Sequence, residues 1–179
     1  LLIALAALCC LASASLRTWS SAYLGASTVQ SASMHGDAVV AAGPYRYFRN
    51  PLYAGIFIHA LALALLMSPS GAIFSIVAIG FFEIRLILGE EAFLTAKLGE
   101  PYLAYCARVP RLFPALTPRV AASPTRPHWL LAFLSESYMW GAFLVFATVS
   151  YRYNATLIMQ GILIALGVSL VIRAFLPKR

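Results

Sequence analysis

The chain has 179 residues, 61% of them hydrophobic and only 11% charged, with a mean hydropathy of +0.83. Soluble domains carry roughly 25% charged residues, so the composition excludes an ordinary soluble class and reads as an all-α integral membrane protein. The formal net charge of +7 does not point to nucleic acid, because the basic residues lie in short segments between apolar runs and suit loops facing anionic lipid head groups.

Residues 1–16 form an unbroken apolar run that ends at Arg17. The sequence begins without a methionine, and this run reads as a spanning helix open to truncation at its start; Leu11-Ala12-Ser13-Ala14 only faintly resembles a signal-peptidase site. Trp19 and Tyr23 fit an interfacial belt, and residues 30–37 form a small-residue polar connection. None of Cys9, Cys10, Cys106, His35, His59 and His128 shows metal-ligand spacing, so no metal site is expected. His59, inside an apolar helix, is read as a helix-packing residue.

The stretch Gly43-Pro44-Tyr45-Arg46-Tyr47-Phe48-Arg49-Asn50-Pro51-Leu52-Tyr53-Ala54-Gly55 differs from its apolar flanks, with two arginines, three tyrosines and four turn-forming residues in thirteen positions. Gly43-Pro44 predicts a turn. Asn50-Pro51 predicts a helix start, with asparagine as the N-cap and proline at the first helical position. That helix is expected to run to Met67, and residues 68–71 turn the chain into a second arm beginning near Ala72.

The second arm ends in a crowd of charges, Glu83, Arg85, Glu90 and Glu91, and is expected to continue to Leu98 and stop at Gly99. Glu100-Pro101 opens a short amphipathic helix carrying Tyr102 and Tyr105, which Val109-Pro110 terminates. Arg108, Arg111, Arg119 and Arg126 mark a basic, proline-rich connector. Two more spans are expected over 129–149 and 155–175, joined through Arg152. The loops after the first, third and fifth spans hold almost all the Lys and Arg, which predicts five spans, the N-terminus outside and the C-terminus in the cytoplasm.

Arginine presents a planar fork suited to carboxylate or phosphate, so Arg46 and Arg49 are either an anion site or positive-inside anchors. Glu90 and Glu91 gain nothing from anionic lipid and need partners. Arg46, Arg49 or Arg85 could pair with them, or a ligand's amine or hydroxyls could bind there. A ligand with a carboxylate, an ammonium, a ribose and an aromatic base would use all these residue types, and S-adenosylmethionine is one.

The thirteen-residue stretch resembles the G-x-Y-R-Y-x-R-H-P-x-Y-x-G motif of the isoprenylcysteine carboxyl methyltransferases and related phospholipid methyltransferases. Glu90-Glu91, Leu94, Gly99, Tyr102, Tyr105, Val109-Pro110 and Pro114 are similar to the family's second motif in order and spacing. The resemblance covers about residues 30–114. It implies a membrane-embedded enzyme without a Rossmann fold, one that binds S-adenosyl-L-methionine in a cytosolic pocket and draws a lipophilic or lipidated substrate from the membrane lipids. The chain itself reads as one membrane domain over 1–179 in a prokaryotic inner membrane, with two additional helices in 127–176 that are unusual beside the family's shorter C-terminal ends.

Carried over by position, the family's cofactor residues fall on Gln30, on Asp37, Ala38, Val39 and Val40, on Tyr45, on Asn50, Pro51, Leu52 and Tyr53, and on Glu90 with Glu91. Arg49 supports them, and Arg85 is the nearest candidate for the substrate-side arginine, so that Glu90, Arg85 and Arg49 are expected beside the reaction. Asn50 stands where the motif has histidine, Asp37 where some members have another, and Arg85 lies five residues before Glu90 rather than four. The acceptor stays open among a prenylated-cysteine carboxylate, a phospholipid amine and a small lipophilic thiol. A sterol-reductase-like NADPH enzyme and a non-catalytic scaffold are the rival readings, and the chain's shortness weighs against the first.

Overall fold

In a computed structural model, residues 2–24, 39–149 and 154–176 are described, and every regular element among them is helical. Helix α1 is Leu2–Tyr23, and a single 3-10 turn, Gly43–Arg46, precedes α2, Pro51–Ala64. Then come α3 (Pro69–Leu98), α4 (Glu100–Arg108), α5 (Trp129–Ser135), α6 (Ser137–Val149) and α7 (Ala155–Phe175).

The first helix is the centre of the packing: α2, α5 and α6 lie against it, α3 packs on α2, and α7 packs on α5 and α6. Its buried residues include Ala6, Cys10, Ser13, Ala14, Arg17, Ser20 and Ser21, a stripe of mostly small side chains at helical spacing. Lipid offers no hydrophobic reward for joining two apolar helices, so close approach through small residues supplies the attraction. Ala62, Phe146 and Ile158 complete this core. The helices α6 and α7 meet as closely: a Cβ on Gly141 would come within 2.6 Å of Ala165.

Large apolar side chains point outward instead, among them Phe74, Phe81 and Phe82 on α3 and Leu163, Ile164 and Leu170 on α7. That inversion of the soluble pattern is the signature of a lipid-facing surface. Among the described residues three helices, α1, α3 and α7, are long and apolar enough to cross a membrane, and the α5–α6 pair makes a fourth if its 64° bend is taken within one span.

The five expected spans therefore need correction in two places. The helix expected to reach Met67 stops at Ala64, and its 14 residues extend about 21 Å, short of the roughly 30 Å hydrocarbon layer. The expected continuous span over 129–149 is broken at Glu136. Helix α3 exceeds the layer, since 30 residues reach about 45 Å. Its length leaves room for its charged last turns, with Glu90 and Glu91, outside the apolar slab.

The basic connector is more than a tether. Its backbone lies antiparallel along residues 41–49, at the start of the thirteen-residue stretch and just before it: Arg49 N donates to Pro110 O at 2.9 Å, Ala115 N to Tyr47 O at 3.0 Å, Arg119 N to Arg46 O at 2.8 Å and Ser123 N to Ala41 O at 2.8 Å. Arg46 Nε adds a bond to Val120 O at 3.0 Å, which ties this arginine to the connector. At the connector's end, His128 N reaches Ala22 O at 2.8 Å. Residues 110–128 thus strap the motif to the ends of α1 and α3.

His59 packs as expected, its Nε2 3.1 Å from Tyr138 Oη and its Nδ1 3.8 Å from Cys10 Sγ. Gly55 has a different reason for its identity: a Cβ there would run into Arg17 Cγ. Gly55→Ala is expected to cost about 1–3 kcal/mol by overpacking, read as a lowered thermal midpoint in detergent.

Candidate functional site

The site forms where the first turn of α2 meets the last turns of α3. Pro51 locks the backbone for a helix start, and Asn50 sits at the N-cap position, yet its side chain makes no capping hydrogen bond. The expectation that Asn50 caps α2 is corrected here. Its Nδ2 donates to Glu91 Oε1 at 3.2 Å and to Arg111 O at 3.1 Å, so the side chain is oriented by a charge-assisted bond across to α3 and by the connector.

Consecutive residues on a helix diverge by about 100°, so Glu90 and Glu91 reach different partners. Glu90 Oε2 accepts from Tyr53 Oη at 3.0 Å. Glu91, which is buried, gathers Arg111 Nη2 at 2.8 Å, Arg111 Nε at 3.0 Å and Arg49 Nη1 at 3.3 Å besides Asn50. Asn50 and Tyr53 are one turn apart on α2, and the two glutamates are adjacent on α3, so both bonds join the same two helix ends. The hydrogen bond to Glu91 pushes the Arg111 guanidinium still further above its usual value.

Beneath them, Tyr45 is held by the second motif: Tyr105 Oη donates to Tyr45 O at 2.7 Å. Tyr102, Tyr105 and Val109 form a small buried cluster with Val39, Leu94 and Leu98. Burial, and then the charge of Glu90, push the Tyr45 hydroxyl well above the usual phenol range, and burial does the same for Tyr102 and Tyr105. All three stay phenols. Tyr105→Phe is expected to cost about 0.5–1.5 kcal/mol, the worth of one hydrogen bond, measured as a fall in the thermal midpoint.

Of the residues expected at the site, Tyr45, Arg49, Asn50, Pro51, Tyr53, Glu90 and Glu91 come together. Leu52 takes part through its carbonyl, Val39 by packing, and Val40 is half-buried without a polar role. Gln30, Asp37 and Ala38 lie outside the described residues. Arg85 does not join: it is exposed, whereas Glu83, Ile87 and Glu91 form the buried stripe of α3. Taking the nearest arginine before Glu90 followed the chain and ignored the helix, on which positions 83, 87 and 91 share a face and 85 is on the other side.

Three ionisable residues escaped the site reading. Glu83 is 7% exposed, and its Oε1 has no hydrogen-bond partner among the described residues. Arg17 and Glu136 form a buried pair, with Nε to Oε2 at 2.6 Å and Nη2 to Oε1 at 2.9 Å. A lone acid inside an expected span demands a partner, and that was the available signal for Glu136.

The family model described as phospholipid methyltransferase matches residues 1–100. Protein-S-isoprenylcysteine O-methyltransferase of Schizosaccharomyces pombe is 39% identical over 80 residues, which is 44% of this chain and 34% of that protein. The chain thus spans about a third of that relative's length. No solved structure matches. The matched region holds α1, the motif stretch, and α2 with α3, so the Tyr53–Glu90 and Asn50–Glu91 contacts both lie within it, and the chain belongs to the phospholipid methyltransferase family.

Proposed function

We propose that the protein is an S-adenosyl-L-methionine-dependent methyltransferase of the membrane, acting at the cytoplasmic end of its helices on a lipophilic acceptor drawn from the bilayer. The observation that carries this reading is the meeting of the two motifs, Tyr53 with Glu90 and Asn50 with Glu91, at one pair of helix ends.

The residues present fit the cofactor. Tyr45 Oη and Arg49 Nε are buried donors with no partner among the described residues, and Glu90 is a half-buried carboxylate with one oxygen engaged by Tyr53. A zwitterion bearing hydroxyls supplies partners for all three: its carboxylate for the donors, its ammonium for Glu90. When bound, the cofactor supplies an electrophilic methyl on a sulfonium. The chain's contribution is then proximity, orientation and exclusion of water, which explains a site without a catalytic triad. Tyr53 fixes Glu90, and Glu91 fixes Asn50 together with the strap that closes over them.

Glu83 favours an amine as the acceptor. It lies seven residues, or about 10 Å, before Glu90 along the same side of α3, toward the bilayer, and it is within electrostatic reach of Tyr53. A carboxylate with one unpartnered oxygen there repels a carboxylate substrate, whereas it can hold an ammonium and take its proton.

The test is binding of labelled S-adenosyl-L-methionine to the purified chain in lipid nanodiscs, followed by label transfer to phospholipid and isoprenoid extracts. Binding with transfer to the aminophospholipid fraction is the expected result. Absence of binding sinks the methyltransferase reading, and labelling confined to prenylated carboxylates overturns the amine acceptor. Binding of NADPH instead would establish the reductase alternative.

A further inference from the structure

The helices α5, α6 and α7 lie beyond the region that the family model matches. They nevertheless send one residue into the heart of the molecule. Glu136 stands at the break between α5 and α6, where the chain bends by 64°, and is 1% exposed. Its carboxylate takes two donors of the Arg17 fork, and Oε1 also accepts from Ser21 Oγ at 2.7 Å.

The remaining arm of the fork points elsewhere. Arg17 Nη1 donates to Leu52 O at 3.2 Å, the second residue of α2. In an α-helix that carbonyl also accepts from the N–H four residues on, here Ile56. The stem of Arg17 fills the space opposite Gly55, and Ser13 Oγ donates to Gly55 O at 2.7 Å. The first turn of α2 is therefore held from α1 by hydrogen bonds to two backbone carbonyls, and the charge that makes one of them possible is neutralised from the C-terminal helices. The same two charges act on the buried Tyr45 hydroxyl.

We propose that Arg17 and Glu136 are a positioning pair: through them the C-terminal helices hold the first turn of α2, and so keep Tyr53 aligned with Glu90. Neither residue touches the proposed ligand. Removing Glu136 alone would leave a buried guanidinium unpaired, free to turn toward Glu83 or Glu90 and pull Leu52 with it. The pair thus gives the C-terminal helices a part in the site that the matched region alone lacks. This inference rests on the methyltransferase reading only for its binding readout.

The test uses the full chain in nanodiscs with both charges removed together, Arg17→Leu with Glu136→Leu. An apolar pair of similar volume is neutral or stabilising in many buried sites, so the fold is expected to survive, with a thermal midpoint at or above the parent's. Hydrogen exchange at the amides of residues 55–57 should rise at least tenfold, while exchange in the 73–82 part of α3 stays at the parental rate. Affinity for labelled S-adenosyl-L-methionine should fall at least tenfold. Trp140→Phe, which breaks another α1–α6 contact at Thr18 (2.9 Å) without reaching α2, should change neither.

Parental exchange at residues 55–57 in the folded double variant overturns the proposal, whether or not the ligand binds. A parent that binds no cofactor but shows the exchange effect sinks the methyltransferase reading and leaves the positioning role standing. If the double variant does not fold, Arg17→Lys decides. A single ammonium lacks the fork needed to serve Glu136 and Leu52 at once, so raised exchange at 55–57 supports the pair and parental exchange overturns it.

Discussion

Glu91→Ala is expected to lower stability by about 2–4 kcal/mol, the largest loss from any single side chain at the site. Glu91 binds donors from three separate segments, Arg49 and Asn50 before α2 and Arg111 in the strap. Breaking a buried pair by removing one partner costs about 3–5 kcal/mol, because the other charge stays buried and uncompensated. Arg49 is in that position: its side chain is 12% exposed, and its Nε already lacks a partner among the described residues. The Arg111 side chain is 46% exposed and turns to water, so its share is closer to that of a surface pair, about 0–1 kcal/mol. Arg111→Gln should accordingly cost less than about 1 kcal/mol.

The measurement is thermal unfolding in detergent followed by near-ultraviolet circular dichroism. At roughly 2–4 °C per kcal/mol for a chain of this size, Glu91→Ala should shift the midpoint by about 5–15 °C. Glu91→Gln should lose less, since its amide oxygen still accepts from Asn50. If the midpoint of Glu91→Ala stays at the parental value, the strap is held by its backbone bonds to residues 41–49 alone, and Glu91 has no structural role.

The parts of this fold that could be read in advance are those written in local chemistry. Asn50-Pro51 starts a helix, Gly99 ends one with a φ of +61°, and Val109-Pro110 ends the next, because proline and glycine constrain the backbone wherever they stand. The pairing of the motif stretch with Glu90-Glu91 was legible as well, since carboxylates at a membrane edge require donors and the nearest lay in that stretch.

What was not legible depends on phase or on distance. Arg85 is near Glu90 in the chain, but the 3.6-residue period puts it on the opposite face of α3 from Glu83. Arg17 and Glu136 are separated by 119 positions, and no spacing rule joins them. The strap is built from backbone hydrogen bonds, which leave no side-chain pattern to read. Asn50 has the identity of a cap and the work of a bridge: local preference favoured its own backbone, and the tertiary fold offered Glu91 instead.

Glu90→Ala is expected to separate ligand binding from folding. Glu90 is half-buried and accepts from the neutral Tyr53 hydroxyl, so its loss leaves no buried charge behind it there, and the thermal midpoint should stay within a few degrees of the parent. A hydrogen bond to a charged group contributes about 1.5–3 kcal/mol, and each 1.4 kcal/mol is about tenfold in affinity. Labelled S-adenosyl-L-methionine should therefore bind roughly 10–100-fold more weakly. Tyr53→Phe keeps the ring and removes the hydroxyl that orients Glu90, so it should cost about tenfold. Because the two side chains act as one unit, the double variant should fall little below Glu90→Ala alone. Arg85→Ala is the counterpart: exposed on the far face of α3, it should bind like the parent. If affinity is lost in Arg85→Ala and kept in Glu90→Ala, the pocket lies on the outer face of α3, and the meeting of Tyr53 with Glu90 is only a brace between two helices.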